Sequence, residues 1–128
     1  MRTLRLCSCL IVLGALFILG GCKEKALTSH DVNITSCVPN QDPIEVHEGD
    51  QVHWEPADPH DYTVSFSDPN EPTSNPFKVK HGSSNPNHPI HGHKGCSHGD
   101  HGDFYCKYSL TRDSESTPCA DPGVHIVP

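Results

Sequence analysis

Apolar and polar side chains alternate along several short stretches of this sequence. Residues 44–66, IEVHEGDQVHWEPADPHDYTVSF, contain three such runs, and a period of two is typical of strands buried on one face. Gly49 supplies a turn between the first two runs because glycine accepts backbone angles that other residues avoid. Pro56 and Pro59 end the second run because proline offers no N–H to a sheet. The pattern therefore predicts three short strands.

Four more strands are predicted on the same grounds. One contains Val32 and Ile34, a short edge strand covers 77–79, and alternating runs at 104–110 and 124–127 give the last two. No internal repeat is present, and the 12 Pro and 10 Gly residues disfavour long helices. The 128 residues predict at most one domain, and its fold class is all-β.

The first 22 residues have the organisation of a secretory signal peptide. Arg2 and Arg5 precede an apolar run at 10–19, and small residues follow. The run is too short for a transmembrane helix. Leu19-Gly20-Gly21-Cys22 resembles the bacterial lipobox, in which the cysteine is lipidated and becomes the first residue of the mature protein. An ordinary signal peptide that happens to contain a cysteine is the alternative.

The lipobox divides the chain into a signal peptide at 1–22, a short tether at 23–29 and a folded domain at 30–128. Lys23 does not resemble an inner-membrane retention signal, which favours the outer membrane, on its periplasmic side, or the cell surface. The expected partners are therefore the membrane, through the lipid anchor, and an envelope or metal-delivery protein. Acidic residues outnumber basic ones by 16 to 9, which argues against nucleic acid.

Four cysteines remain in the expected mature chain, and an exported protein meets an oxidising environment. Two disulfides are therefore predicted, with three possible connectivities. We favour Cys37–Cys119, which would join the loop after the first strand to the loop before the last strand. Its companion would be Cys96–Cys106, which would pin a polar insertion to the strand that follows it. Each bridge is expected to stabilise the fold by roughly 3 kcal/mol. Free thiolates that bind metal are the alternative.

Residues 37–128 resemble the cupredoxins, the blue-copper proteins. The resemblance is carried by VHEGDQVHW at 46–54, YTVSF at 62–66, FYCKY at 104–108 and GVHIV at 123–127. It implies a Greek-key β-sandwich in which residues 81–103 form a histidine-rich loop insertion.

The copper ligands of that family are not found at the corresponding positions of this sequence. Tyr62 stands where the family has its first histidine, Leu110 stands where the thiolate belongs, and the only methionine is the first residue of the chain. A type 1 copper site requires one thiolate and two imidazoles. The resemblance therefore implies a copper-free member of the fold. A rearranged electron-transfer site remains as an alternative, and its ligands would be His60, Cys119 and His125.

The insertion at 81–103 holds six of the eleven histidines. Neutral imidazole suits Cu(II), Zn(II) and Ni(II), and histidine-rich tracts are a compositional signal for metal binding. Asp100 and Asp103 could orient the rings or bind the ion directly. A solvated loop and a pH sensor are the alternatives. The predicted metal ligands are His81, His88, His91, His93, His98 and His101.

The remaining histidines are expected to serve no ligand role. His47 and His53 are predicted to face solvent on strands, His125 is predicted to be exposed rather than a ligand, and His30 belongs to the tether region. No nucleophile with an ordered base and no phosphate-binding loop can be recognised, so no enzymatic activity is predicted. The leading hypothesis is a lipid-anchored protein that binds divalent metal, and the alternatives are a metal-free envelope interaction module and a copper electron-transfer protein.

Overall fold

The computed structural model describes residues 25–128, which form ten strands and no helix. No helix in this range is long and apolar enough to cross a membrane. The predicted signal peptide, the predicted lipidation site Cys22 and the first residues of the predicted tether lie outside the described residues. The strands are β1 (Ser29–Thr35), β2 (Val38–Pro39), β3 (Ile44–His47), β4 (Gln51–Pro56), β5 (Tyr62–Phe66), β6 (Phe77–Val79), β7 (His88–Pro89), β8 (Ser97–His98), β9 (Phe104–Arg112) and β10 (Gly123–Val127).

The strands form two sheets in a sandwich-like arrangement. The first sheet has the order β2-β1-β4-β7, and the second has the order β3-β10-β9-β5-β6. Two pairs are parallel, β1 with β4 and β3 with β10, and the other pairs are antiparallel. β8 pairs with the first residues of β9, whereas β5 pairs with its second half. The predicted all-β class is confirmed, and each of the seven predicted strands is present.

The core lies between the two sheets and is built from alternate residues of the long strands. Trp54 is fully buried at its centre. The rings of Phe66 and Tyr108 meet the indole edge-on, with centroids 6.4 and 5.9 Å away. Burial of the phenol raises the pKa of Tyr108 to about 12. The predicted alternation is thus realised as one continuous apolar layer.

Both predicted disulfides are present, Cys37–Cys119 and Cys96–Cys106. Ser36 and Cys37 adopt left-handed backbone angles, with φ of 50° and 68°, so the chain turns sharply after β1 and brings Cys37 into the core. The four cysteines are therefore paired and are not free thiolates.

The histidine-rich insertion runs the length of the sandwich along the edge of β4. It begins where the His81 N–H donates to Asp61 Oδ1 at 2.9 Å, beside the start of β5. It then forms β7, in which His88 pairs with Val52. Ile90 is fully buried; its N–H donates to the Asp50 carbonyl, and its carbonyl accepts from the Gly49 N–H, both at 2.8 Å. The middle of the insertion is therefore docked on the core.

Candidate metal site

The insertion distributes its six histidines over both ends of the sandwich. The ring of His81 lies 3.4 Å from the Pro56 carbonyl oxygen, whereas His88 pairs with Val52. Four residues of strand separate these positions, or roughly 13 Å. His91, His93, His98 and His101 follow at the end that also contains the β3–β4 turn and the C-terminus. We call this end the insertion end, and the six imidazoles do not form a single cluster there.

His93 and His98 are brought together at the insertion end by Phe104. His93 stacks on the Phe104 ring with centroids 3.6 Å apart, and His98 meets the same ring edge-on at 4.7 Å. The two imidazole centroids are 6.4 Å apart. Both histidines are exposed, so an ion in solution can reach them.

Local structure explains why His98 lies at this position. β8 pairs with β9 in a register that puts His98 opposite Phe104 and Ser97 opposite Tyr105. The Cys96–Cys106 disulfide ties the residue before β8 to the same strand. Since the bridge closes a separation of only 10 residues, it holds β8 against β9 although β8 is only two residues long.

The spacing of His93 and His98 is close to that of two ligands of one ion. Zn–N bonds are about 2.0–2.1 Å long, so two imidazoles on one ion have centroids roughly 5–6 Å apart. A small ring movement would meet that requirement. No group of three or more His, Cys, Asp or Glu side chains within residues 25–128 is arranged to hold a metal ion. Water would have to complete the coordination.

Asp103, an expected partner of the metal ligands, is engaged elsewhere. Its Oδ2 lies 2.6 Å from His125 Nε2, and this hydrogen bond holds the pKa of Asp103 below its usual value. Tyr105 stacks on the His125 ring with centroids 4.1 Å apart. The His125 side chain is only 17% exposed, so the prediction that it faces solvent is wrong because Asp103 and Tyr105 cover it.

A histidine–aspartate cluster that the sequence did not suggest lies at the same end. His30 is part of β1, not of the tether, and its Nε2 is 2.9 Å from Asp50 Oδ2. The Asp50 carboxylate also accepts the N–H of Thr28 at 3.3 Å and the N–H of His47 at 2.9 Å. Burial by itself raises the pKa of Asp50, but these three hydrogen bonds outweigh it and lower the pKa overall.

His88 is the most enclosed histidine of the insertion. Its ring stacks on Phe77 with centroids 3.6 Å apart and meets Trp54 edge-on at 5.7 Å. Its Nε2 is buried without a hydrogen-bond partner. Burial lowers the pKa of His88, and the charge of nearby His53 lowers it further. His88 therefore acts as a neutral core ring, and its position does not favour a ligand role.

The low pKa of His88 predicts that acid weakens the fold. Because the folded-state pKa lies below the unfolded value of about 6.5, the unfolded chain binds the proton more readily. Stability is expected to fall as the pH drops below 6.5, by at most about 1.4 kcal/mol per pH unit for one proton. Urea unfolding of His88→Phe at pH 7 and pH 5 should show a smaller acid-induced loss than the unaltered protein. The control His60→Phe replaces an exposed histidine and should show the same acid-induced loss of stability as the unaltered protein. Equal acid-induced losses in the two variants would refute this assignment.

The three residues of the rearranged copper site do not meet. The Cys119 sulfur is bonded to Cys37, and its neighbour Ala120 lies against Leu110 on β9. His125 instead pairs with Tyr105 on the same strand. Five residues of strand separate these contacts, or roughly 17 Å.

Tyr62 and Leu110, which the resemblance to the cupredoxins would align with copper ligands, are both fully buried. The Tyr62 hydroxyl donates to Asp58 Oδ2 at 2.7 Å and accepts from the Cys37 N–H at 3.1 Å. Burial raises the pKa of this phenol, and the bond to Asp58 raises it further. Tyr62 is thus a neutral structural hydrogen-bonding group.

A shallow groove of about 170 Å³ adjoins His93 at the insertion end. Phe104, Ile126 and Pro128 supply apolar walls, and Lys25 and Glu48 are also part of its lining. Sites for organic ligands have volumes of about 300–1,000 Å³, so the groove suits an ion with its water molecules better than a larger molecule.

Comparisons with known proteins give no further guidance. No protein-family model, curated protein or solved structure matches this chain.

Proposed function

We propose that this protein is an exported, lipid-anchored β-sandwich protein that binds a divalent metal ion through its histidine-rich insertion. The observation that carries the proposal is the pair His93 and His98, which are exposed, contact the same Phe104 ring and have ring centroids 6.4 Å apart. The role would be the capture, buffering or delivery of metal at the cell envelope. A cupredoxin-like Greek-key topology is part of the proposal, and the two-sheet arrangement is compatible with it.

The donor atoms decide the class of metal. The four cysteines within residues 25–128 are paired, and this range contains no methionine, so soft sulfur ligands are missing there. Exposed imidazoles remain, which suit Cu(II), Zn(II) and Ni(II). Protons compete with metal for the imidazole nitrogens, so metal affinity should decrease in acid.

Export is supported by the disulfides and by the lipobox-like sequence. Disulfides persist in oxidising compartments and are rare in the cytosol. Leu19-Gly20-Gly21-Cys22 would supply the anchor. Metabolic labelling with a fatty acid, lost in Cys22→Ser, tests the anchor independently of metal.

The metal proposal predicts a difference between the two ends of the sandwich. His93→Ala combined with His98→Ala should weaken Cu(II) or Zn(II) binding, measured by calorimetry, by at least about 100-fold, because both direct ligands are lost; even residues that only support a ligand contribute about 10- to 100-fold. The matched control, His60→Ala with His81→Ala, removes two exposed imidazoles from the opposite end and should change the affinity by less than threefold. Equal effects of the two double variants would contradict the site, and unchanged affinity and unchanged stoichiometry after replacing all six insertion histidines would end the proposal.

A metal-free interaction module is the second candidate. It is favoured by the absence of a preformed three-ligand group in residues 25–128 and by Tyr105, an exposed aromatic residue stacked on His125. Capture of an envelope partner that persists under strong chelation, and that Tyr105→Ala abolishes, would support it over metal binding.

Electron transfer is the least supported of the three hypotheses. A type 1 copper site needs a thiolate, and the cysteines within residues 25–128 are all in disulfides. Absence of an intense thiolate-to-copper absorption band from the copper-loaded protein would exclude this role.

A further inference from the structure

A second cluster at the insertion end offers metal ligands of a different kind. Asp50 Oδ2 has two imidazole nitrogens beside it, His30 Nε2 at 2.9 Å and His47 Nδ1 at 3.7 Å. The three residues come from the first strand, the end of β3 and the turn between β3 and β4, and none belongs to the insertion. Two histidines and one carboxylate form a recurrent ligand set for Zn(II) and for other divalent first-row metals.

The distances around Asp50 Oδ2 bracket those of a coordinated ion. Adjacent ligands with bonds of about 2.0–2.1 Å lie roughly 3.0–3.4 Å from one another. The His30 nitrogen is slightly closer than this to the carboxylate oxygen, and the His47 nitrogen is slightly farther. Each imidazole nitrogen is thus close to the carboxylate oxygen, but the three donors are not preformed around an ion, in agreement with the absence of a ready three-ligand group in residues 25–128. Rotation of the half-exposed His47 ring would close the gap.

The surroundings supply what a metal-binding carboxylate needs. The Asp50 side chain is only 4% exposed, and the N–H groups of Thr28 and His47 fix both of its oxygens. The imidazoles are 24% and 42% exposed, so an ion can enter from their side. Oδ2 would keep the His47 N–H bond and use its second lone pair for the metal. The ion would take the place of the proton between His30 and Asp50. In a neutral ring this proton moves to the other nitrogen, and in a doubly protonated ring it is released to solvent.

We propose that His30, His47 and Asp50 form a second divalent-metal site, separate from His93 and His98, which takes Zn(II) or a similar ion with water in its open positions. This site does not depend on the proposed function of the insertion. It would tie β1 to the β3–β4 turn through a metal ion.

The test removes the insertion ligands first. In the His93→Ala, His98→Ala variant, Co(II), used as a spectroscopic substitute for Zn(II), should still bind one equivalent and give visible d–d absorption. Adding His47→Ala should weaken this binding by about 10- to 100-fold or more, since a direct ligand is lost. His47→Ala keeps the backbone N–H that supports Asp50, so the fold should survive. His30→Gln, which retains a hydrogen-bond donor for Asp50, should have a similar effect.

His53→Ala in the same background is the matched control, because it removes a partly exposed strand histidine outside the cluster. It should leave the binding of the remaining equivalent of Co(II) unchanged. Zn(II) should also raise the melting temperature of the insertion variant but not of its His47→Ala derivative. Failure of the insertion variant to bind any Co(II), or binding that His47→Ala leaves unaltered, would overturn the second site. Failure of the insertion site would instead appear as unchanged total stoichiometry on loss of His93 and His98, so the two proposals are judged separately.

Discussion

Replacing Cys37 and Cys119 together by alanine is expected to lower the free energy of unfolding by about 4.5 kcal/mol, because loop-closure entropy depends on the length of chain that is closed. This disulfide joins residues 82 positions apart. It therefore restricts the unfolded chain far more than Cys96–Cys106, whose partners are 10 positions apart. The corresponding cost for the shorter bridge is about 2.7 kcal/mol. A loss of the first size is a large part of the total stability of a domain like this one.

Urea unfolding of the two double variants, without reductant, measures both costs. Equal costs, or a larger cost for the shorter bridge, would contradict the loop-length explanation. The same pair of variants separates stability from metal binding. Cys37–Cys119 lies at the end opposite His93 and His98, so its loss should weaken the fold and leave metal affinity unchanged under conditions in which the variant stays folded. Loss of Cys96–Cys106 releases β8 and should reduce metal affinity in spite of its smaller effect on stability.

The strands could be predicted from the sequence because their signal is local. In the Ile44–His47 and Gln51–Pro56 strands each side chain points to the opposite face from its neighbours. A strand with one buried face therefore has apolar side chains at alternate positions, and this pattern is visible in the sequence. The three strands that were missed, β2, β7 and β8, have two residues each. Two residues cannot show a period, and each of these strands forms only because a longer strand is available to pair with it.

The sequence indicated which histidines could bind metal, but it did not indicate where each of them lies in the fold. The six histidines are close in sequence, and all six were predicted to bind metal. The fully buried Ile90 and the pairing of β7 with β4 instead stretch the insertion along the sandwich and put His81 at the opposite end. His88 is enclosed by Phe77 and Trp54 from other strands, and no local pattern could indicate that.

The cluster around Asp50 could not be recognised from sequence for the same reason. His30 and Asp50 are 20 positions apart, and they meet because β1 and β4 are parallel neighbours. The one available signal was an aspartate directly after the Gly49 turn, where its carboxylate can accept the N–H of His47. That signal predicts a turn, and it gives no information about the imidazole that completes the group.

Asp50→Ala is expected to destabilise the protein by about 1.5–3 kcal/mol, because its buried carboxylate accepts three hydrogen bonds and hydrogen bonds to a charged group contribute most to stability. The carboxylate is 3% exposed and joins Thr28 and His30 to His47 across the β3–β4 turn. The matched control is Asp31→Ala, an exposed aspartate on the neighbouring position of β1. A surface substitution of this kind should change stability by no more than about 0.5 kcal/mol. Similar losses in the two variants, measured by urea unfolding at pH 7, would show that the Asp50 network contributes little.

Asp50→Asn then separates charge from shape. Because the folded protein holds the pKa of Asp50 below its ordinary value of 3.8, ionised Asp50 stabilises the fold at every pH above that value. This contribution is lost progressively as the pH falls below 3.8 toward the folded-state pKa. The asparagine variant has no such group, so it should be less stable than the unaltered protein at pH 7 and should approach it as acid is added. Other carboxylates whose pKa is lowered, such as Asp58 and Asp103, are common to both proteins and cancel in the difference. A stability gap that stays constant from pH 7 to the most acid point at which both proteins remain folded would mean that the charge of Asp50 is not what holds this turn to β1.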